Sequence, residues 1–193
     1  MNVFAVPARR SRARGWWGMA LFAATEATLF GTIFGTYVYL RFKAVHWPPD
    51  GIASPSITIP LVLTGVLLAT SAPMQLASAA ARSGRARRAQ ALLLLALVVQ
   101  AGYFAMQLQR YADDVQAHPP QLSAYTSITQ LMVGADHFHV FVGLLLNLFL
   151  LAKLMDGRVT AYRRTGVQAA ALYWHVVNAL TVVVVLLQLS PSL

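Results

Sequence analysis

Residues 128–154 read ITQLMVGADHFHVFVGLLLNLFLLAKL. The stretch is longer than the roughly 20 apolar residues that cross a bilayer as a helix, and only Asp136, His137, His139 and Lys153 interrupt it with ionisable groups. A soluble core has no use for so long a run. Moving outward, four further stretches of the same kind stand out: Trp16–Leu40, Ile57–Ala81, Ala89–Gln109 and Ala170–Leu189. The shortest covers roughly 30 Å as a helix, about one hydrocarbon thickness. The 193-residue chain is 58% hydrophobic and 11% charged, under half the charge of about 25% usual in a soluble domain. The sequence therefore predicts an all-α protein, a polytopic membrane bundle of five transmembrane helices. They form a single membrane domain over 1–193, preceded by a basic tail at 1–15.

Charge placement sets the expected orientation. Arg9, Arg10, Arg12 and Arg14 precede the first span; Arg82, Arg85, Arg87 and Arg88 follow the second; Lys153, Arg158, Arg163 and Arg164 follow the fourth. The remaining loops hold Arg41, Lys43 and Arg110. Basic residues concentrate on cytoplasmic loops, so the N-terminus is expected in the cytoplasm and the C-terminus outside. The formal charge of +9 thus has a topological explanation, and no nucleic-acid motif accompanies it. The arginines before the first span resemble the n-region of a signal peptide, but the apolar part is too long, which predicts an uncleaved helix. Absence of cysteine excludes disulfides, thiolate metal sites and thiol nucleophiles.

Positions seven apart on a helix fall within about 20° of each other, and four spans carry a polar stripe on this spacing. Thr64, Ser71, Gln75 and Ser78 align in the second span, and Gln100, Tyr103, Gln107 and Tyr111 in the third. In the fourth, Thr129, Asp136, Gly143 and Asn147 align with His139 alongside; in the fifth, Gln168, Ala171, His175 and Asn178. The first span instead shows small residues, among them Gly31 and Gly35. Small and hydroxyl or amide side chains on one face are what helix contact in lipid uses.

Charge inside the membrane is more informative, costing about 2.5–3.5 kcal/mol at the bilayer centre even on the lenient insertion scale. Glu26, Asp136, His139 and His175 qualify. Glu26 sits about ten residues into its span, roughly 15 Å of rise and near mid-membrane. Its helical neighbours are apolar, so it must find a polar group on another helix or remain protonated. A proton path, a metal or haem site, and a satisfied hydrogen-bond network are all compatible with these four residues. Small proton-coupled transport through Glu26 and Asp136 is one alternative function; a b-type cytochrome anchor with His139 and His175 as axial ligands is another.

Specific motifs then resemble one family. The first span contains Gly18-Met19-Ala20-Leu21-Phe22, Thr25-Glu26 and Tyr37-Val38-Tyr39-Leu40-Arg41. In the second, Pro60 and Thr64 fit a Pro-x-x-Asn-Thr pattern with Leu63 in place of Asn, and the third ends Gln107-Leu108-Gln109-Arg110-Tyr111, with Arg110 where Glu is usual. The fourth carries Gly134-Ala135-Asp136-His137-Phe138-His139-Val140, in which His139 matches the second histidine of Gly-Phe-His-Gly-Leu-His-Val and Asp136 replaces the first. The fifth carries Tyr173-Trp174-His175, then Asn178 where Asp is usual. Together these resemble subunit III of the haem–copper respiratory oxidases (cytochrome c oxidase), in a divergent five-helix bacterial form.

The resemblance implies a non-catalytic subunit of a terminal oxidase in aerobic electron transport, within a proton-translocating complex that passes electrons from cytochrome c or quinol to oxygen. It implies no redox centre, metal or catalytic residue in this chain; haem and copper belong to the catalytic subunit I, which it packs against together with subunit II. Glu26 matches the family's carbodiimide-reactive glutamate, and Glu26, Asp136 and His139 are expected to form the intramembrane proton and polar network. Gln107, Tyr111, Tyr173, Trp174, His175 and Asn178 are expected to be structural polar residues. Implied roles are proton uptake, oxygen access and protection from inactivation during turnover, in the bacterial plasma membrane. Bound phospholipid is also implied, with the helices split into two groups around a lipid-filled cleft.

Overall fold

In the computed structural model, residues 14–156 and 165–191 are described. Arg9, Arg10, Arg12, Arg158, Arg163 and Arg164, on which part of the expected orientation rests, lie outside them. Among the described residues six α-helices follow in order: α1 Arg14–Lys43, α2 Thr58–Ala69, α3 Ser71–Arg82, α4 Ala86–Ala117, α5 Ala124–Met155 and α6 Thr165–Leu189. A 3-10 turn, Pro120–Leu122, precedes α5. Five crossings result, because α2 and α3 together make one apolar span, Thr58–Arg82.

Local chemistry explains where these helices break and stop. Pro73 has no N–H to give the Ala69 carbonyl and its ring crowds that turn, so the second span is interrupted between Ala69 and Ser71. The Thr70 hydroxyl donates instead to the Leu67 carbonyl at 2.6 Å. Gly84, at φ +70°, ends α3 in a Schellman turn: Arg85 N–H reaches the Ala80 carbonyl at 2.9 Å and Gly84 N–H the Ala81 carbonyl at 3.3 Å. Ser123 and Thr126 form a reciprocal capping box at the start of α5. α4 continues past the expected Gln109 to Ala117 and stops before His118-Pro119, carrying Arg110, Asp113 and Asp114 beyond the apolar segment.

Packing is uneven. α6 is the most enclosed span, with half of its apolar window buried (50%), against 11% for the first. α6 packs against α1, α2, α3 and α5; α4 lies against α3 and α5; α1 rests on α5 and α6. The helices form one connected bundle, in which α6 bridges α1 to the rest. Leu94, Leu95, Val98, Leu145, Leu148 and Phe149 are exposed, an apolar outer belt suited to lipid.

Candidate functional site

Along α1, Phe30, Ile33 and Tyr37 are buried and turn one narrow stripe of the helix inward. Glu26 continues this stripe, and its Oε2 lies 2.6 Å from Nε2 of His139 on α5. Both side chains are largely enclosed, Glu26 at 15% and His139 at 8% exposure. The imidazole is held from several directions. Its Nδ1 is 2.7 Å from the Ala135 carbonyl and the Phe30 ring meets it edge-on at 5.1 Å, while Tyr173 OH fixes the backbone of the same residue by donating to the His139 main-chain carbonyl at 2.9 Å.

This geometry fixes the proton count. A carbonyl only accepts, so Nδ1 must carry a hydrogen. Nε2 of a neutral ring is then a bare acceptor, and its contact with a carboxylate oxygen requires one proton between them. The pair is either Glu–COOH with neutral His or Glu–COO⁻ with His⁺; both forms are net neutral, and their difference is one proton moved along a single hydrogen bond. A neutral pair is the arrangement that buried ionisable groups require in lipid.

Asp136, one turn earlier on α5, is buried but takes a different partner. Its Oδ1 lies 2.7 Å from Thr181 Oγ1 on α6, and that hydroxyl is also 3.0 Å from the Val177 carbonyl. Since Thr181 has a single hydroxyl hydrogen, it donates to one of these at a time. Glu26 and Asp136 are thus anchored separately, to α5 and α6, and not through a shared histidine.

A second polar cluster ties four crossings together. Thr70 Oγ1 accepts from Trp174 Nε1 at 2.9 Å and from Gln100 Nε2 at 3.3 Å, while Asn147 Nδ2 donates to Gln100 Oε1 at 2.8 Å. All four side chains are buried. On the α3–α6 face, Asn178 Nδ2 donates to Ser71 Oγ at 2.7 Å and His175 Nε2 meets Gln75 Nε2. Gln107 Nε2 donates to Tyr103 OH at 3.3 Å, and Tyr111 OH to the Gln130 carbonyl at 3.3 Å.

Sequence reasoning had marked Gln100, Asn147 and Trp174 but not Thr70, and Asp136 but not Thr181. A lone threonine in an apolar helix usually bonds its own preceding turn, and both do so; nothing in spacing reveals their second contacts. Both nitrogens of His139 are engaged, by Ala135 and Glu26, and His175 Nε2 faces Gln75. Among the described residues, no three His, Asp or Glu side chains gather as a metal site.

Comparison with known proteins agrees with these motifs. Residues 11–190 match the family described as cytochrome c oxidase subunit III. Over 167 residues the chain is 25% identical to a cytochrome c oxidase subunit 3 from Thermostichus vulcanus, covering 86% of this chain and 82% of the relative. It is 30% identical over 165 residues to a cytochrome bo(3) ubiquinol oxidase subunit 3 from Pseudomonas aeruginosa, covering 83% and 76%. A Synechocystis cytochrome c oxidase subunit 3 is 28% identical over 171 residues, covering 88% and 72%. With five spans, a glutamate–histidine pair in the bundle and a family match over nearly its whole length, the chain belongs to the cytochrome c oxidase subunit III family.

Proposed function

We propose that the protein is a non-catalytic subunit of a terminal haem–copper oxidase in the bacterial plasma membrane, its N-terminus cytoplasmic, docked on subunit I beside subunit II. Haem and copper lie in the catalytic subunit, and the electron-transfer chemistry belongs there. This chain contributes a protonatable pair held in apolar surroundings. One observation carries the reading: the 2.6 Å contact between Glu26 and His139, which stores one exchangeable proton with no net charge. A pair of that kind supports proton uptake and keeps the enzyme active through repeated turnover, while its apolar surroundings leave an oxygen path in the lipid phase. Asp136, hydrogen-bonded to Thr181, extends the polar network toward α6. Gln107, Tyr111, Tyr173, Trp174, His175 and Asn178 hold the helices in register.

The test is oxidase turnover by the complete complex carrying Glu26→Gln. Initial turnover is expected to stay mostly intact while active lifetime shortens. Immediate, near-complete loss of activity would overturn the reading in favour of a direct catalytic role. Retention of a haem-bearing large polypeptide after mild detergent extraction tests the partner assignment in the same preparation.

A further inference from the structure

Two of the positions where the chain departs from its family's motifs meet in one cavity. Arg110 stands where the third span usually has Glu, and His137 falls on the second Gly of Gly-Phe-His-Gly-Leu-His-Val. Both line a space of about 200 Å³ between α4, α5 and the loop that joins α1 to α2. At about 30 Å³ per water, it has room for roughly six waters. His137 lies about 20 Å of helical rise from the start of α5 at Ala124. The rim is open by contrast: Asp114 and His118, paired at 3.3 Å, are 56% and 36% exposed.

Two side chains in the wall, Gln130 and His137, are only 3% and 8% exposed, and each ends in a buried atom without a partner among the described residues, Gln130 Oε1 and His137 Nε2. Gln130 Nε2 donates to the His118 carbonyl at 2.6 Å, so its oxygen is the end left over. His137 Nδ1 is 2.7 Å from the Val133 carbonyl and must donate there, so Nε2 of the neutral ring carries a lone pair. Buried acceptors of this kind are met by water where the site is polar and roomy enough. A proton added at Nε2 finds the Gln107 main-chain carbonyl on α4 as acceptor. The ionisable groups that share the cavity are Arg110, Tyr111 and Asp114 from α4, His118 from the turn and Tyr125 from α5; the loop and α6 contribute uncharged residues. Asp136, next in sequence, turns to Thr181 instead.

We propose that the cavity is an aqueous inlet continuous with the medium on the His118 side, and that His137 exchanges protons with that medium through it, apart from the Glu26–His139 pair. Uptake adds one proton from a hydronium ion to Nε2, leaves water behind and makes the ring an imidazolium. The Asp114 carboxylate offsets the new charge and Arg110 opposes it. Residues two apart on a helix point about 200° from each other, so His137 and His139 serve opposite faces of α5: one meets the inlet, the other holds its proton inside the bundle with Glu26. The His118 side is the outer one in the topology proposed above.

The experiment places the complete complex in heavy water, where the Cε1–H of each histidine exchanges at a rate set by its protonation and its access to solvent, read residue by residue by mass spectrometry. Wild-type His137 is expected to exchange within about tenfold of His118, and His139, with both nitrogens engaged, more slowly than that, because exchange at an enclosed ring waits on local opening. A His137 as slow as His139 would overturn the proposal without recourse to any variant. The pH profile of His137 exchange is expected to move in opposite senses in Arg110→Gln and Asp114→Asn; a profile unmoved in both would also overturn it. Sidedness comes from His137→Cys, expected to react with a small membrane-impermeant thiosulfonate from the side that labels Ala117→Cys at the end of α4, and not from the other. An inverted topology would exchange the sides for both variants together and leave the inlet standing. Labelling of His137→Cys from the opposite side alone, or only after lipid is stripped from the complex, would overturn it, the second result placing a lipid where water is proposed.

Discussion

The backbone of Gly143 on α5 lies so close to the ring of Trp174 on α6 that a Cβ there would fall 2.5 Å from Cζ3, and 3.2 Å from Tyr173 Cε1. The approach is set by a buried indole whose Nε1 is already committed to Thr70. Gly143→Ala is therefore expected to force α5 from α6 and destabilise the bundle by about 1–3 kcal/mol, the range for overpacking. Gly134→Ala meets only the tip of Tyr111, at 2.8 Å from its hydroxyl, and is expected to cost less. Thermal unfolding in detergent checks the order.

Removal of Thr70 breaks two contacts at once. Thr70→Ala leaves Trp174 Nε1 without a partner and takes one acceptor from Gln100, an expected loss of about 1–3 kcal/mol for a buried unsatisfied donor. Thr70→Ser keeps the oxygen and is expected to recover most of it. For Gln100 and Asn147, a double-mutant cycle is expected to give a coupling near 0.6 kcal/mol, and at most about 1.7, as for hydrogen bonds between helices in lipid. A coupling indistinguishable from zero would contradict the 2.8 Å bond.

Glu26 is expected to react with a hydrophobic carbodiimide, since one of the pair's two proton arrangements places the acidic hydrogen on the carboxyl group. Labelling should vanish in Glu26→Gln. In His139→Phe the carboxyl group loses its partner at 2.6 Å and is left open to the reagent, so labelling is expected to rise. Equal labelling in wild type and Glu26→Gln would place the reactive group elsewhere.

Orientation can be read with little background, because the chain contains no cysteine. Single cysteines at Arg87 and Ala117 sit on exposed positions at opposite ends of α4. A membrane-impermeant maleimide is expected to label Ala117→Cys from outside intact cells and Arg87→Cys only in inverted vesicles. The reverse pattern would invert the proposed topology.

Five spans were legible because each is a long run of apolar residues, a property that depends on no partner. Helix ends were not: α4 runs on through Arg110, Asp113 and Asp114, where backbone hydrogen bonding continues after lipid contact has ceased. The break at Thr70 was hidden because hydropathy does not weigh the missing N–H of Pro73. Glu26 was recognisable as needing a partner, since its own helix offers none, and His139 was among the few groups able to serve. Which carboxyl group would claim that histidine could not be read, because Asp136 and His139 are already i, i+3 on one helix. Only the crossing of α1 over α5 and α6 sends His139 to Glu26 and Asp136 to Thr181.

That crossing also imposes an order on biosynthesis. α1 leaves the ribosome before α5 and α6, yet it packs on both, and 113 residues separate Glu26 from His139. During translation α1 must therefore wait in the translocon or the bilayer with its carboxyl group unmatched until α5 delivers the imidazole. The earliest of the described helices is in this sense the closing piece of the bundle, and a nascent chain arrested before α5 would hold an intramembrane acid for which its own sequence has not yet supplied the base.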